Sequence, residues 1–391
     1  MYKSDKLFPV TQVGSWPRSR TLLKALRDKQ KDRITKAEFD EIANAEAKRC
    51  IQYQLDAGVD ILVEGEHHRD NFYSFLTDKL NGTRLMSLAD MLDTVDNKES
   101  FEEMLDTLDV PASSIKNPTC VGKLSRREPL TLDEFKFVKS FTDKPVKITL
   151  PGPYLLTRSM WVGSFSKKDY SDKQEMADDI VAILREELAD LQDAGCEFVQ
   201  FDEPVLTEIV MSEDNDRRTF MWATLATRSD AGTELQYAAD LINKVVDGFD
   251  NIRTGIHVCR GNWSRNEETL LTGDYLPLLP AFTQMNVDQF VLEFATPRAG
   301  EIDIIGKALA NKELGLGVIN PRTDEIESLD FIIDKVEVAL KYFAPEKIFL
   351  NTDCGFGCFA ERCVNDEHNA YEKIKRMVDA AEILRKKYSP V

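Results

Sequence analysis

Eight short apolar runs punctuate this chain in order: FPVTQVGS, VDILVEGE, VKITLPGP, FVQFDEP, IRTGIHVC, FVLEFA, LGLGVIN and IFLNTDCG. Most are separated by stretches with helical spacing of apolar residues, such as KQEMADDIVAILREELADLQDAG before the fourth and SLDFIIDKVEVALKYFAP before the eighth. Strand and helix alternating through eight runs predict an α/β architecture, a (βα)8 TIM barrel. A doubly wound open sheet gives a similar alternation, but no G-x-G-x-x-G follows an early run. The alternation breaks from about Arg84 to Glu134, where LADMLDTVDNKESFEEMLDTLD has the pattern of a helix and TCVGKL that of a short apolar piece. An excursion between the second and third barrel strands is expected there. No Pro/Gly/Ser-rich linker or low-complexity tract divides the 391 residues, so 1–391 are expected to form one domain.

In parallel barrels the chemistry sits at the carboxyl ends of the strands. Ser15 closes the first run, Glu66 the second, Asp202 the fourth, His257 and Cys259 the fifth, Glu293 the sixth, Asn320 the seventh and Cys354 the eighth. Residues two apart on a strand share a face, so His257 and Cys259 point the same way. Alone, that pair has an ordinary explanation as a polar strand-end residue beside a small buried hydrophobe. With Glu293 and Cys354 from neighbouring strand ends it offers one nitrogen, two sulfurs and a carboxylate oxygen. That is a complete zinc shell, in which the hard carboxylate is the ligand most easily displaced.

Seven cysteines at irregular spacings do not make a disulfide framework and favour reduced thiols or metal ligation. Cys358 and Cys363 follow Cys354 in a C-x3-C-x4-C run, but an iron–sulfur cluster ordinarily takes four cysteines, so thiols are expected there. A net charge of −18 argues against nucleic acid and anionic membrane surfaces as partners. No apolar run approaches 18 residues and the opening MYKSDKLFPVTQ lacks a signal-peptide core, which predicts a cytoplasmic protein.

Motifs spread over nearly the whole chain carry a resemblance: VGSWP at 13–17, LVEGEHHRDNF at 62–72, LPGP at 150–153, VQFDEP at 199–204, IHVC at 256–259, LEFA at 292–295 and NTDCG at 351–355. Together they resemble the catalytic barrel of cobalamin-independent methionine synthase, in its single-barrel form. The resemblance implies a zinc ion held by His257, Cys259, Glu293 and Cys354. It implies that Val13, Gly14 and Ser15, with Glu66 and Asp202, cradle the amino acid part of homocysteine. Carboxylates suit an α-ammonium in a partly dry pocket, and zinc suits a thiol that must attack as thiolate. The implied reaction is methyl transfer to sulfur.

The donor is the less determined partner. Glu208 matches a glutamate that holds the pterin in the family, and Thr119 with Cys120 stand where the family has an Arg-Cys pair. Ser159 falls where the family stacks a tryptophan on the pterin, with Trp161 two residues on. Arg322 falls at the family's proton-donating histidine and cannot release a proton at neutral pH. His67 and His68 are alternative proton donors, with a surface or supporting role as the ordinary explanation. Trp16 and Trp263 are open between packing and substrate contact. Methyltetrahydrofolate therefore competes with a methylated corrinoid, or another methyl-carrier protein, as the donor. Two other classes stay open: a zinc alkyltransferase acting on a thiol such as coenzyme M, and a non-catalytic zinc barrel. Glu66 and Asp202 favour an amino acid over a sulfonate, which calls for Arg or Lys, and they have no task in a purely structural site.

Overall fold

The computed structural model describes residues 6–91, 116–211, 229–266, 270–357 and 365–389. Its strands are β1 (Leu80–Ser87), β2 (Lys116–Arg126), β3 (Lys147–Pro151), β4 (Phe198–Asp202), β5 (Arg253–Val258), β6 (Gln289–Glu293), β7 (Glu313–Ile319) and β8 (Ile348–Thr352). Strands β3 to β8 form a parallel sheet in sequence order, and every residue of β3, β4, β5, β6 and β8 is buried. Burial on both faces is why these strands appear in the sequence as nearly continuous apolar runs.

The first two runs complete the ring with sparser pairing. Val10 bridges Leu350 on β8 and Leu62 bridges Val146 just before β3, both in parallel. The N–H groups of Asp60 and Ile61 each donate to the Val10 carbonyl at 3.1 Å, joining the first run to the second. The path from β8 through the first and second runs to β3 makes the molecule a TIM barrel. Pro9 has no N–H to give a ladder, and Phe8 before it has φ of 49°, so the first run pairs over a short span.

Local chemistry sets the helices that place the strand ends. Lys36–Ala57 opens with a reciprocal cap between Thr35 and Glu38 and closes on Gly58 at φ 87°, delivering the chain into the second run. Lys173–Asp193 starts at Asp172, whose side chain accepts from two backbone N–H groups, and buries Ile180, Leu184, Leu188 and Leu191 ahead of β4. Leu329–Ala339 precedes β8 as the periodicity predicts. Between β6 and β7 the described helical pieces are only three or four residues long. No helix among the described residues is long and apolar enough to cross a membrane.

The excursion holds an antiparallel pair, β1 with β2, running from Leu80 opposite Arg126 to Ser87 opposite Lys116. TCVGKL lies within β2, as an apolar piece should. The strand β1 was not expected, because LNGTRLMS is mostly exposed or half-buried and lacks a clean apolar face. Its register shifts at Gly82, φ 77°, where a Cβ would sit 2.4 Å from the Lys123 carbonyl. Of the expected helical run, Leu88–Met91 is helical, and the rest lies outside the described residues.

Many TIM barrels fill their interior with Val, Ile and Leu. Here Lys147, Gln200, Arg253, Gln289 and Asn351 are all buried strand residues. Arg253, at the amino end of β5, pairs with Glu313 at 2.7 and 3.0 Å and lies over the rings of Phe198 and Phe349. Of these, Lys147 and Gln200 link by hydrogen bonds to Asp202, which lines the cleft.

Candidate metal centre and carboxylate cradle

A cleft is lined by Val13, Ser15, Glu66, Asp202, His257, Cys259, Asn262, Trp263 and Cys354. Ligand atoms of His257, Cys259 and Cys354 all lie within 4.8 Å of one another, and all three residues are buried. The ring nitrogen Nδ1 of His257 is 3.2 Å from the Val291 carbonyl. A carbonyl only accepts, so Nδ1 carries the proton and donates, and Nε2 keeps its lone pair. That Nε2 is buried and has no hydrogen-bond partner. Metal-binding imidazoles are held in this way, by a backbone acceptor on the far nitrogen.

Hydrogen bonding to Cys354, followed by burial, pushes the Cys259 thiol well above the usual range. Two sulfurs this close resist ionising together, and a dication beside them reverses that preference. One oriented imidazole and two thiols in a buried cluster fit zinc.

The fourth expected ligand sits differently. Glu293 does not belong to the three-residue group. Its Oε1 accepts from the Arg260 N–H at 2.8 Å and from Asn262 Nδ2 at 2.6 Å, and its Oε2 from Arg298 Nη2 at 3.1 Å. Arg322 donates through Nε to Asn262 Oδ1 at 2.9 Å. Arg322 therefore supports the amide that holds Glu293.

The two carboxylates line the same cleft, Asp202 as the register partner of His257 on the neighbouring strand. Glu66 has φ of 60°, a left-handed conformation costly for a side chain of this size, and Gly65 before it has φ of 98°. A Cβ on Gly14 would sit 2.6 Å from Glu66 Oε1, so the first run must carry glycine there for the carboxylate to reach the cleft. Glu66 Oε1 accepts from Thr149 Oγ1 at 2.9 Å with Arg69 Nη1 at 3.8 Å, while Oε2 is buried without a hydrogen-bond partner. Burial, then the Glu66 charge, pushes Asp202 up to about 8. Burial likewise pushes Lys147 down to about 7, against the attraction of Asp202 and Glu66. Val13 is tied by its N–H to Thr352 Oγ1 at 3.2 Å, and the Ser15 hydroxyl accepts from the Gly357 N–H at 3.2 Å.

Other expected residues lie elsewhere. Neither His67 nor His68 lines the cleft. His67 is buried with Nδ1 3.1 Å from the Glu64 carbonyl, and His68 lies 3.1 Å from both Glu64 Oε1 and Asn44 Oδ1, lining a separate hollow with Arg69 and Glu134. Burial opposes the charge of His68, but Glu64 prevails and raises its pKa. Glu208 is buried on the helix Val205–Met211 and does not line the cleft. Ser159 is buried on Pro153–Met160, where its carbonyl accepts from Asn117 Nδ2 at 2.7 Å; Thr119 and Cys120 are buried in β2. Trp16 packs against Tyr53 and Phe356, whereas Trp263 reaches the cleft. Asn320 accepts from the Arg322 N–H at 3.0 Å in the turn after β7. Cys358 and Cys363 lie outside the described residues.

Sequence reasoning missed Lys147, Thr149, Gln200, Asn262 and Arg298. Period two offered a signal for three of them: Lys147 and Thr149 alternate along one face of VKITL, and Gln200 stands two before Asp202. Asn262 and Arg298 come from loops, where no periodicity points to them.

Comparison with known proteins identifies the family and the fold. The family described as "Cobalamin-independent synthase, Catalytic domain" matches residues 8–383. A methionine synthase of Pyrococcus horikoshii is 29% identical over 381 residues, covering 97% of this chain and 94% of its own. One of Saccharolobus solfataricus is 26% identical over 97% of this chain and 95% of its own. Among solved structures, a B12-independent methionine synthase of a Shewanella species, in complex with selenomethionine, aligns with a TM-score of 0.72 at 22% identity. That alignment covers 97% of this chain and 98% of the other, and shows the shared fold. A putative vitamin-B12-independent methionine synthase of Listeria monocytogenes gives 0.69 at 20% identity, over 97% and 99% of the two chains. The chain belongs to the cobalamin-independent methionine synthase catalytic-domain family and is an enzyme of the methyltransferase class.

Proposed function

We propose that this enzyme methylates the thiol of homocysteine to give methionine, at a zinc ion held by His257, Cys259 and Cys354 with Glu293 as exchangeable fourth ligand. The observation that carries the reading is the buried nitrogen–sulfur–sulfur cluster lining the same cleft as two buried carboxylates. Zinc, when bound there, stabilises the substrate thiolate at neutral pH.

The chain's own residues do the rest. Glu66 and Asp202 take the α-ammonium, whose positive charge relieves the repulsion between them. Val13, Gly14 and Ser15 frame the amino acid end and aim its sulfur at the metal cluster. Asn262 and Arg298 hold the Glu293 carboxylate through hydrogen bonds, which makes it easy for an incoming thiolate to replace. The new sulfur–carbon bond forms as the donor–methyl bond breaks, and the leaving group keeps the electron pair.

A leaving group that needs no proton suits this cleft. Arg322 is bound to Asn262, and the proposed proton sources His67 and His68 are held on Glu64 away from the cleft lining. A methylated corrinoid, free or on a carrier protein, is therefore the favoured donor over methyltetrahydrofolate, whose nitrogen must be protonated to leave. The test is methionine formation by the zinc-loaded enzyme from homocysteine with methylcobalamin and, separately, with methyltetrahydrofolate. Turnover with the corrinoid supports the reading; no methionine from either donor overturns it.

A further inference from the structure

Lys147 is 1% exposed at the start of β3, and its Nζ donates to Gln200 Oε1 at 2.9 Å. Gln200, also buried, donates from Nε2 to Asp202 Oδ1 at 2.8 Å and to the Val13 carbonyl at 3.2 Å. The two ends of an amide are chemically opposite, since the oxygen accepts and the NH2 donates. Lys147 donates to the amide oxygen, which leaves the NH2 turned toward two acceptors. Those acceptors come from separate parts of the barrel, Asp202 from the end of β4 and Val13 from the first run. One side chain thus joins two members of the amino acid cradle, and a second decides which way it faces.

We propose that Gln200 is a positioning residue for the amino end of the substrate, clamping Asp202 to the Val13 carbonyl, and that Lys147 orients the clamp. The proposal rests on the reading of the cleft as a homocysteine site. With Oδ1 of Asp202 engaged by the amide, Oδ2 is the oxygen left for an ammonium. Without the clamp, repulsion from Glu66 is free to rotate the Asp202 carboxylate out of line. Lys147 acts through the amide, so its influence on binding vanishes once the amide is gone.

Calorimetric titration of the zinc-loaded enzyme with homocysteine and with 4-mercaptobutyrate, which has the thiol and carboxylate but no amino group, tests this. Gln200→Leu is expected to raise the homocysteine Kd about tenfold, the scale of a hydrogen bond to a charged group, and to leave the 4-mercaptobutyrate Kd and the zinc content unchanged. Lys147→Met is expected to raise the homocysteine Kd about threefold, because the amide can then turn its oxygen toward Asp202. In the double variant the Kd should equal that of Gln200→Leu alone. The double variant also replaces both buried partners by apolar groups, so it folds even where Gln200→Leu, which strands the Lys147 amino group, does not; its Kd above that of Lys147→Met then supports the clamp. Equal losses for both thiols, a wild-type homocysteine Kd in Gln200→Leu, or an undiminished Lys147→Met effect in the double variant would overturn it. Asp202→Asn separates the two levels. If it weakens homocysteine while Gln200→Leu does not, the clamp alone fails; if it too leaves homocysteine binding intact, the homocysteine reading fails and the clamp with it.

Discussion

The sulfur wall of the cleft gathers His257, Cys259 and Cys354, and the Cys259 thiol resists ionising on its own. The carboxylate wall gathers Glu66 and Asp202, and burial, then the charge of Glu66, raises the pKa of Asp202. Both walls are buried and both gain from a positive charge, yet they select different cations. Nitrogen and sulfur suit zinc, while hard oxygens with hydrogen-bonding capacity suit an ammonium. A molecule with a thiol at one end and an ammonium at the other bridges them, and it is this pairing, more than either wall alone, that points to an amino acid thiol.

The comparison breaks most visibly if the walls exchange roles under mutation. Cys354→Ser should lower zinc content from about one equivalent per chain to a small fraction, as loss of a thiolate ligand does, while Asp202→Asn keeps the full equivalent. Elemental analysis of the two variants reads this directly, and zinc loss in Asp202→Asn would merge the walls into one site. Donor choice is next in size. With methyltetrahydrofolate, turnover is expected below about 1 s⁻¹, the low end for enzymes, and faster with methylcobalamin; the rate ratio is the measurement. On the carboxylate wall, Asp202→Asn should weaken homocysteine by about 1.5–3 kcal/mol without displacing zinc, as calorimetry would show.

A further effect is on stability and pH. Asp202 has its folded pKa raised to about 8, so its contribution to stability is fully present below the unfolded carboxylate pKa and is lost as pH rises through about 8. Asparagine carries no such penalty. In substrate-free protein the melting temperature of Asp202→Asn should therefore pull ahead of wild type as pH is raised from about 4 to about 8. A gap that stays constant over that window would place the Asp202 carboxylate in an ordinary, solvated environment.

The legible part of this molecule was the part whose burial is symmetrical. Strands β3 to β8 are covered on both faces and so appear as apolar runs, with polar residues such as Asp202 and Cys354 marking where the barrel opens. The wet strand β1 left no such trace, and the brief pairing of the first two runs depends on partners more than 50 residues away. His257, Cys259 and Cys354 were readable because they follow strand parity and strand ends. The surroundings of Glu293 were not, since Arg260, Asn262 and Arg298 reach it from loops after two strands, and Arg322 reaches Asn262 from the loop after a third. The clamp on Asp202 lay half in view: parity places Gln200 on the face of Asp202, but only the fold brings Lys147 and Val13 to its two ends.

The central claim is that the sulfur wall holds zinc in order to receive a third sulfur from the substrate. X-ray absorption at the zinc edge, on the purified enzyme before and after addition of homocysteine, measures this most directly. The account predicts a zinc shell with two sulfurs that gains a third on addition, at the usual zinc–sulfur distance of about 2.3 Å, with loss of an oxygen neighbour. A zinc shell unchanged by saturating homocysteine, or a protein that binds homocysteine with no zinc present, would contradict it.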